Sequence, residues 1–319
     1  MPSPSPATEV RRARPLLGTL VEIRAAGPGG EVRLHAAIDA AFAAVERVQS
    51  LMSFHDPGSE LSALNREAAR RPLAVDARTY EVLAAALELS RRSQGAFDIC
   101  VAPRLEEWGY LPAAAEPAAA GASWTDIELL DARRVRFHRP LRIDLGGIAK
   151  GYAVDRAVAA LRAAGIESGL VNAGGDLRAF GAQPWSVVLR HPQSPAHSAH
   201  SLELRDEALA TSANYFSRRH HGAGEVSPLL DPHSGRPWLG AASVSVRAPD
   251  CLHADALTKV VLFAAPEVAE QTLAHYDAQA YVQHSAQDVI PAKAGIQGDG
   301  APALDAGFRR HDEGWPCSA

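Results

Sequence analysis

Arg142-Ile143-Asp144-Leu145-Gly146-Gly147-Ile148-Ala149-Lys150-Gly151-Tyr152-Ala153-Val154-Asp155 is the run on which the reading of this chain turns. Arg142–Leu145 alternates polar and apolar residues and predicts a short strand; the residues from about Ala149 to Ala164 predict a helix. Gly146 and Gly147 lie between the two. Glycines at such a junction let the backbone approach an anion, and the first N–H groups of a helix favour phosphate there. A carboxylate beside the loop, here Asp144, suits a ribose, an amide or, indirectly, a metal. The same residues would also make a plain tight turn with a surface lysine, and local physics does not choose. The glycine spacing is neither that of a Walker loop nor that of a dinucleotide fingerprint.

A second passage repeats the theme. Gly169–Asn172 reads as a strand that runs into Gly174-Gly175-Asp176, a turn or a second anion loop. Two such loops in one chain favour a phosphate-bearing ligand. Around them, Leu20–Ile23, Trp185–Leu189 and Ala242–Arg247 read as strands. Glu31–Leu51 carries Leu34, Ala37, Ile38, Ala41, Phe42, Val45 and Val48 at helical spacing, and Thr79–Arg92 and Ala254–Ala264 read as further helices. Strands and helices mix without a βαβ rhythm, which predicts an α+β fold of mixed sheets with packed helices.

The chain has 319 residues, with 32 Lys and Arg against 37 Asp and Glu. The resulting slight negative charge, without a basic stripe, argues against a nucleic-acid binder. Cys100, Cys251 and Cys317 are too few and too scattered for a disulfide framework or a zinc site. No apolar run is long enough for a membrane span, and no signal peptide is evident, so the expected location is cytoplasmic. The expected organisation is a flexible leader over residues 1–14, one domain over 15–285 and an irregular segment over 286–319. In the last, Asp288–Ala306 has neither helical nor strand period and reads as a disordered insertion.

His253-Ala-Asp-Ala-Leu-Thr258 opens an otherwise apolar helix. Asp255 and Thr258 lie one turn apart, and their oxygens suit a hard ion such as Mg²⁺. An N-terminal cap by Asp255 is the other reading.

Several further runs join these in order: Leu17-Gly-Thr19, Met52–Leu61 through Asn65, Gly95-Ala-Phe-Asp98 with Pro103 and Trp108-Gly109, Ala210-Thr-Ser212, Asp231-Pro-His-Ser-Gly235 and Ala254-Asp-Ala256. With the Asp144 run and Asn172-Ala-Gly-Gly-Asp176 they resemble, over residues 15 to 285, the ApbE-like FAD:protein FMN transferases. The resemblance implies a transferase that moves FMN from FAD onto a Thr or Ser hydroxyl of a target protein, with AMP leaving. It implies an FAD site at Leu17, His55, Ala96, Phe97, Asp98, Asp144, Lys150, Gly174, Gly175, Asp176, Thr211 and Leu230. It further implies Mg²⁺ held by the Gly147 carbonyl, Asp255 and Thr258, with Asp255 serving catalysis.

Four positions depart from the family pattern. Leu17 replaces a methionine, and His55 replaces a tyrosine that stacks on flavin. Lys259 stands where a threonine supplies the second metal side chain, with Thr258 one position early; its ammonium could take the ion's place. Pro228 stands where a histidine acts as base, leaving His220 and His221 as the nearby substitutes. These changes admit two alternatives: an FAD-binding or flavin-storage protein with weak or lost transfer, and an FAD pyrophosphatase that uses water as acceptor.

Overall fold

The computed structural model describes residues 8–292, apart from 115–116, 192–193, 215–216, 223 and 284–288. The chain begins with β1 (Thr8–Leu16), β2 (Thr19–Gly27), α1 (Gly30–Met52), α2 (Glu60–Glu67), β3 (Leu73–Ala74), α3 (Ala77–Arg92) and α4 (Ala102–Glu107). It continues with β4 (Ile127–Leu130), β5 (Arg134–Phe137), α5 (Ala149–Ala163), β6 (Ser168–Ala173), β7 (Asp176–Phe180), β8 (Trp185–His191) and β9 (Ser194–Leu204). Then come β10 (Ala208–Ser212), β11 (Arg219–His221), β12 (Gly224–Val226), β13 (Ser243–Ala248), α6 (Cys251–Phe263), α7 (Pro266–His275), β14 (Gln279–Gln283) and β15 (Val289–Ala292).

The expected α+β class holds. An eight-stranded sheet runs in the order β1-β2-β6-β7-β10-β13-β14-β15, and each of its pairings is antiparallel. Hairpins link β1 to β2 and β6 to β7, whereas helices lie in the chain between the neighbours β2 and β6 and between β13 and β14. The long helices α1, α5 and α6 supply the core packed on this sheet. The helical-period residues of α1 are all buried, and α5 buries Tyr152, Val154 and Leu161 against the same core. A smaller apolar cluster, including Leu170, Leu177, Val187 and Leu204, joins the sheet to the β8–β9 hairpin.

Three sequence expectations change. Residues 8–14 are not a flexible leader but most of β1, paired with β2 from Thr8↔Gly27 to Leu16↔Thr19. Only Val10 of this strand is buried, so it lacks an apolar signature. Its side chains are dominated by arginine contacts: Arg11 pairs with Glu22 and Arg24 with Glu9 across the strands, while Arg14 lies over the Phe42 ring and reaches Asp39 at 2.7 Å. Residues 1–7 lie outside the described ones.

Arg142–Leu145 is not a strand either. Asn65 on α2 does the work of a neighbouring strand at Ile143, accepting from its N–H at 2.8 Å and donating to its carbonyl at 3.0 Å. The Asp144 N–H donates to the Ile99 carbonyl at 2.8 Å. The backbone polar groups are thus satisfied without a ladder, which leaves Asp144 fixed beside α5.

Finally, Val289–Ala292, within the segment expected to be irregular, adds a strand at the edge of the large sheet, with Ala280↔Ala292 and Gln283↔Val289 in register. Backbone pairing to β14 needs no side-chain period, so the sequence pattern could not signal it. The rest of that segment lies outside the described residues.

Candidate functional site

The helix α5 begins one residue after Gly146-Gly147, and α6 crosses it closely at Gly151. A β-carbon at Gly151 would meet the Cys251 carbonyl oxygen at 2.1 Å and Asp255 Cβ at 2.9 Å. That glycine brings Lys150 on α5 and Asp255 on α6 into contact. The crossing is locked from the other end of the motif. Asp155 accepts from the N–H groups of Cys251 at 3.0 Å and Leu252 at 2.9 Å, capping α6 from a different helix, and pairs with Arg178 at 2.7 Å.

Four charged side chains form a chain along this crossing. Lys259 donates to the Asp255 carboxylate and, at 2.9 Å, to the Asp255 main-chain carbonyl. Lys150 donates to the other Asp255 oxygen at 3.2 Å and to Asp176 on β7. The Gly151 N–H also donates to Asp255, at 3.2 Å. Asp255 and Asp176 are buried, whereas Lys150 keeps a third of its side chain exposed. Burial opposes ionisation of Asp255, but the two ammonium groups overcome it and hold its carboxyl below the usual range. Burial and the like charge of Asp255 instead push Asp176 up, against the pull of Lys150.

Both lysines open into a cavity of about 720 Å³, within the usual span for ligand sites of about 300–1,000 Å³. The structure brings Leu17, His55, Ala96, Phe97, Asp98, Asp144, Gly147, Lys150, Thr211 and Leu230 together in its lining, from segments spread over two thirds of the chain. Pro228 and Lys259 line it as well. Asp98 accepts from the Cys100 N–H at 2.8 Å and the Trp124 N–H at 3.3 Å; burial nonetheless raises its pKa. Burial likewise raises Asp144, against N–H donation from Gly146 and the charge of His55.

Other expected site residues stand apart from this lining. Gly174 and Gly175 make the β6–β7 turn at positive φ, and a β-carbon at Gly174 would meet Thr19 Oγ1 at 2.4 Å. Asp176 and Asp255 sit behind the two lysines. Thr258 is fully buried, donating to the Asp255 carbonyl at 2.6 Å and sharing a hydrogen bond with Ser212 at 2.7 Å. His220 and His221 are exposed on the β11–β12 hairpin and line neither this cavity nor its neighbour.

That neighbour, of about 740 Å³, shares Asp98, Val101, Leu230 and Pro232 with the first cavity. It contains His233, whose charge acts on Asp98 and whose ring lies beside Gly95. The sequence reading included His233 only as part of the Asp231–Gly235 run. Its signal was that position: an imidazole inside a motif already assigned to the site.

The sequence profile of the ApbE family matches residues 17–282, a range that contains every lining residue of the cavity. The chain belongs to the ApbE family. Among similar proteins, an FAD:protein FMN transferase of Vibrio cholerae is 31% identical over 271 residues, covering 79% of this chain and 80% of that one. One from Rhodobacter capsulatus is 33% identical over 282 residues, covering 82% of this chain and 53% of its own longer length. The crystal structure of an ApbE protein from Thermotoga maritima superposes with a TM-score of 0.79 at 26% identity, covering 90% of this chain and 97% of the other. The flavin transferase ApbE from Vibrio cholerae gives a TM-score of 0.73 at 26% identity, over 91% and 98%. Among the described residues, no helix is long and apolar enough to cross a membrane.

Proposed function

We propose that this ApbE family member transfers FMN from FAD to a Thr or Ser hydroxyl of a target protein. The observation that carries the reading is the convergence of Lys150, Lys259, Asp98 and Asp144 on one cavity in a chain of this family. The acceptor oxygen attacks the FMN-side phosphorus, the pyrophosphate P–O bond breaks, AMP leaves, and the hydroxyl proton passes to a base. Phosphoryl transfer of this kind draws on positioning and charge neutralisation more than on covalent help from the protein.

In this reading Lys150 and Lys259 face the pyrophosphate as point charges. Asp98 accepts hydrogen bonds from the flavin end, and Leu17, His55 and Phe97 pack against its rings. Asp144, held between Ile99 and the Gly146-Gly147 turn, accepts from the ligand and keeps the loop in place. Thr211 and Leu230 complete the wall.

A Mg²⁺ ion does not fit the residues implied for it. The ion asks for near-octahedral oxygen ligands at about 2.0–2.1 Å. Both Asp255 oxygens are engaged by ammonium and amide donors, and the Thr258 hydroxyl is committed to Asp255 and Ser212.

The test is incubation with FAD and a threonine-bearing acceptor peptide, followed by mass spectrometry. Addition of FMN to the peptide with release of AMP is the expected result. Free FMN and AMP without an adduct would instead indicate a pyrophosphatase, and bound but intact FAD a flavin-binding protein.

A further inference from the structure

We infer that the Lys259 ammonium is the resident cation of this site, so that the protein holds the FAD pyrophosphate without a divalent metal. The inference rests on the FAD reading above and goes beyond it in naming what neutralises the phosphates.

The geometry is specific. Lys259 lies one turn after Asp255 on α6, and its ammonium is fixed at two points of that residue, the carboxylate and the main-chain carbonyl. Its side chain is 15% exposed, against 1% for Asp255. The stem passes Gly147: a β-carbon there would lie 3.5 Å from Lys259 Cε. Gly147 and Asp255, two of the residues implied as metal ligands, therefore flank the lysine. Thr258 offers no replacement, because its hydroxyl sits beneath the helix against Ser212.

An ion entering here would have to break the Lys259–Asp255 pair and leave a largely buried ammonium beside it. Separating a buried pair is costly, since each group then lacks its partner in a low-dielectric setting. The ammonium already has what a phosphate needs from a cation: it lines the cavity and is held without a mobile counter-ion. It brings one positive charge where Mg²⁺ would bring two. The chain Lys259–Asp255–Lys150–Asp176 alternates in sign, so both carboxylates are matched by lysines before any ligand arrives.

Two measurements on the full chain test this. The first titrates the ligand-free protein with Mn²⁺, read by electron paramagnetic resonance. The wild type should show no saturable site, whereas Lys259→Thr, which frees the Asp255 oxygen that Lys259 holds and adds a hydroxyl beside it, should acquire one. A saturable wild-type site that Asp255→Asn removes would overturn the inference. The second measures FAD affinity in EDTA and in millimolar Mg²⁺. The wild-type value should agree within about twofold, whereas Lys259→Thr should bind at least about tenfold more weakly in EDTA and recover in Mg²⁺. A tenfold loss in EDTA for the wild type would likewise overturn it. Failure to bind FAD under either condition would sink the proposed function instead, and the Mn²⁺ titration would still decide whether the cation position is filled.

Discussion

Lys259 and Asp255, four residues apart on α6, close a ring in which one ammonium grips both the carboxylate and the main-chain carbonyl of the same residue. The side chain of Asp255 is thereby spent on charge balance inside the protein. It has two ammonium partners and an amide donor, and it is buried to within 1%. Removing it leaves Lys259 without an acidic partner and Lys150 with Asp176 alone.

Asp255→Ala is accordingly expected to destabilise the protein by about 3 kcal/mol in urea unfolding. That is the low end of the range for breaking a buried ion pair, because Lys150 keeps partial access to water. Asp255→Asn, which preserves shape and one acceptor, should lose part of this. A loss below about 1 kcal/mol for the alanine variant would mean that the pair contributes nothing net.

The crossing itself yields a sharper test. Gly151→Ala drives a methyl group into the Cys251 carbonyl, 2.1 Å from the oxygen and 2.6 Å from its carbon. Both are backbone atoms at the capped start of α6, so neither can swing aside. Overpacking typically costs about 1–3 kcal/mol, and here the displaced element also carries Asp255 and Lys259. Gly151→Ala should lower the thermal midpoint and weaken FAD binding together, although Gly151 is not in the cavity lining. Unchanged stability would show that the helices can part without penalty.

How much of this was legible beforehand follows from which forces act locally. The helical periods of α1, α3, α5 and α6 are local and were readable, as was the placement of Asp144 and Lys150 on either side of a glycine turn. Asn65 acting as a strand surrogate for Ile143 was not, because the two lie 78 residues apart and the pairing has no sequence period. Asp155 closes the quoted motif, yet its role as a cap for α6 depends on a helix 96 residues away. β1 escaped for a different reason: it is held by its backbone ladder to β2 and decorated with arginine pairs and a cation–π contact, which resemble a polar tail when only hydrophobicity is read. The β6–β7 glycines left a turn and a second anion loop open; they form a turn at positive φ, with Gly174 packed against Thr19.

Asp98 gives a pH prediction. Burial raises its pKa, and its backbone donors and the charge of His233 only partly offset this. A raised carboxylate pKa means that the proton is taken up earlier as pH falls, so the acceptor oxygen is lost above the ordinary value of about 3.9. FAD affinity should therefore be full near neutral pH and decline as pH is lowered, starting above the range of an ordinary carboxylate. Asp98→Asn should remove that limb of the profile and bind more weakly at neutral pH. A wild-type profile that stays flat through the mildly acidic range would exclude Asp98 as the flavin acceptor.

The altered base position gives the last prediction. His220 and His221 are exposed on a hairpin outside both cavities, so replacing either with alanine should change FMN transfer by less than about twofold, far below the 10²- to 10⁴-fold typical of a general base. Pro228, by contrast, is in the cavity wall beside Leu229 and Leu230. An imidazole introduced there is within the chamber proposed to hold the acceptor and the phosphates. Pro228→His should raise the transfer rate to the acceptor peptide by about 10²-fold or more if the parent reacts without base assistance. The pH profile separates this from a mere packing effect, because a working imidazole adds a rising limb near pH 6.5, its ordinary pKa, that the parent lacks. His233 is the control. It lies in the adjoining cavity beside Asp98, and if the parent already shows such a limb, its loss in His233→Ala would place the base there and leave Pro228→His with little to add.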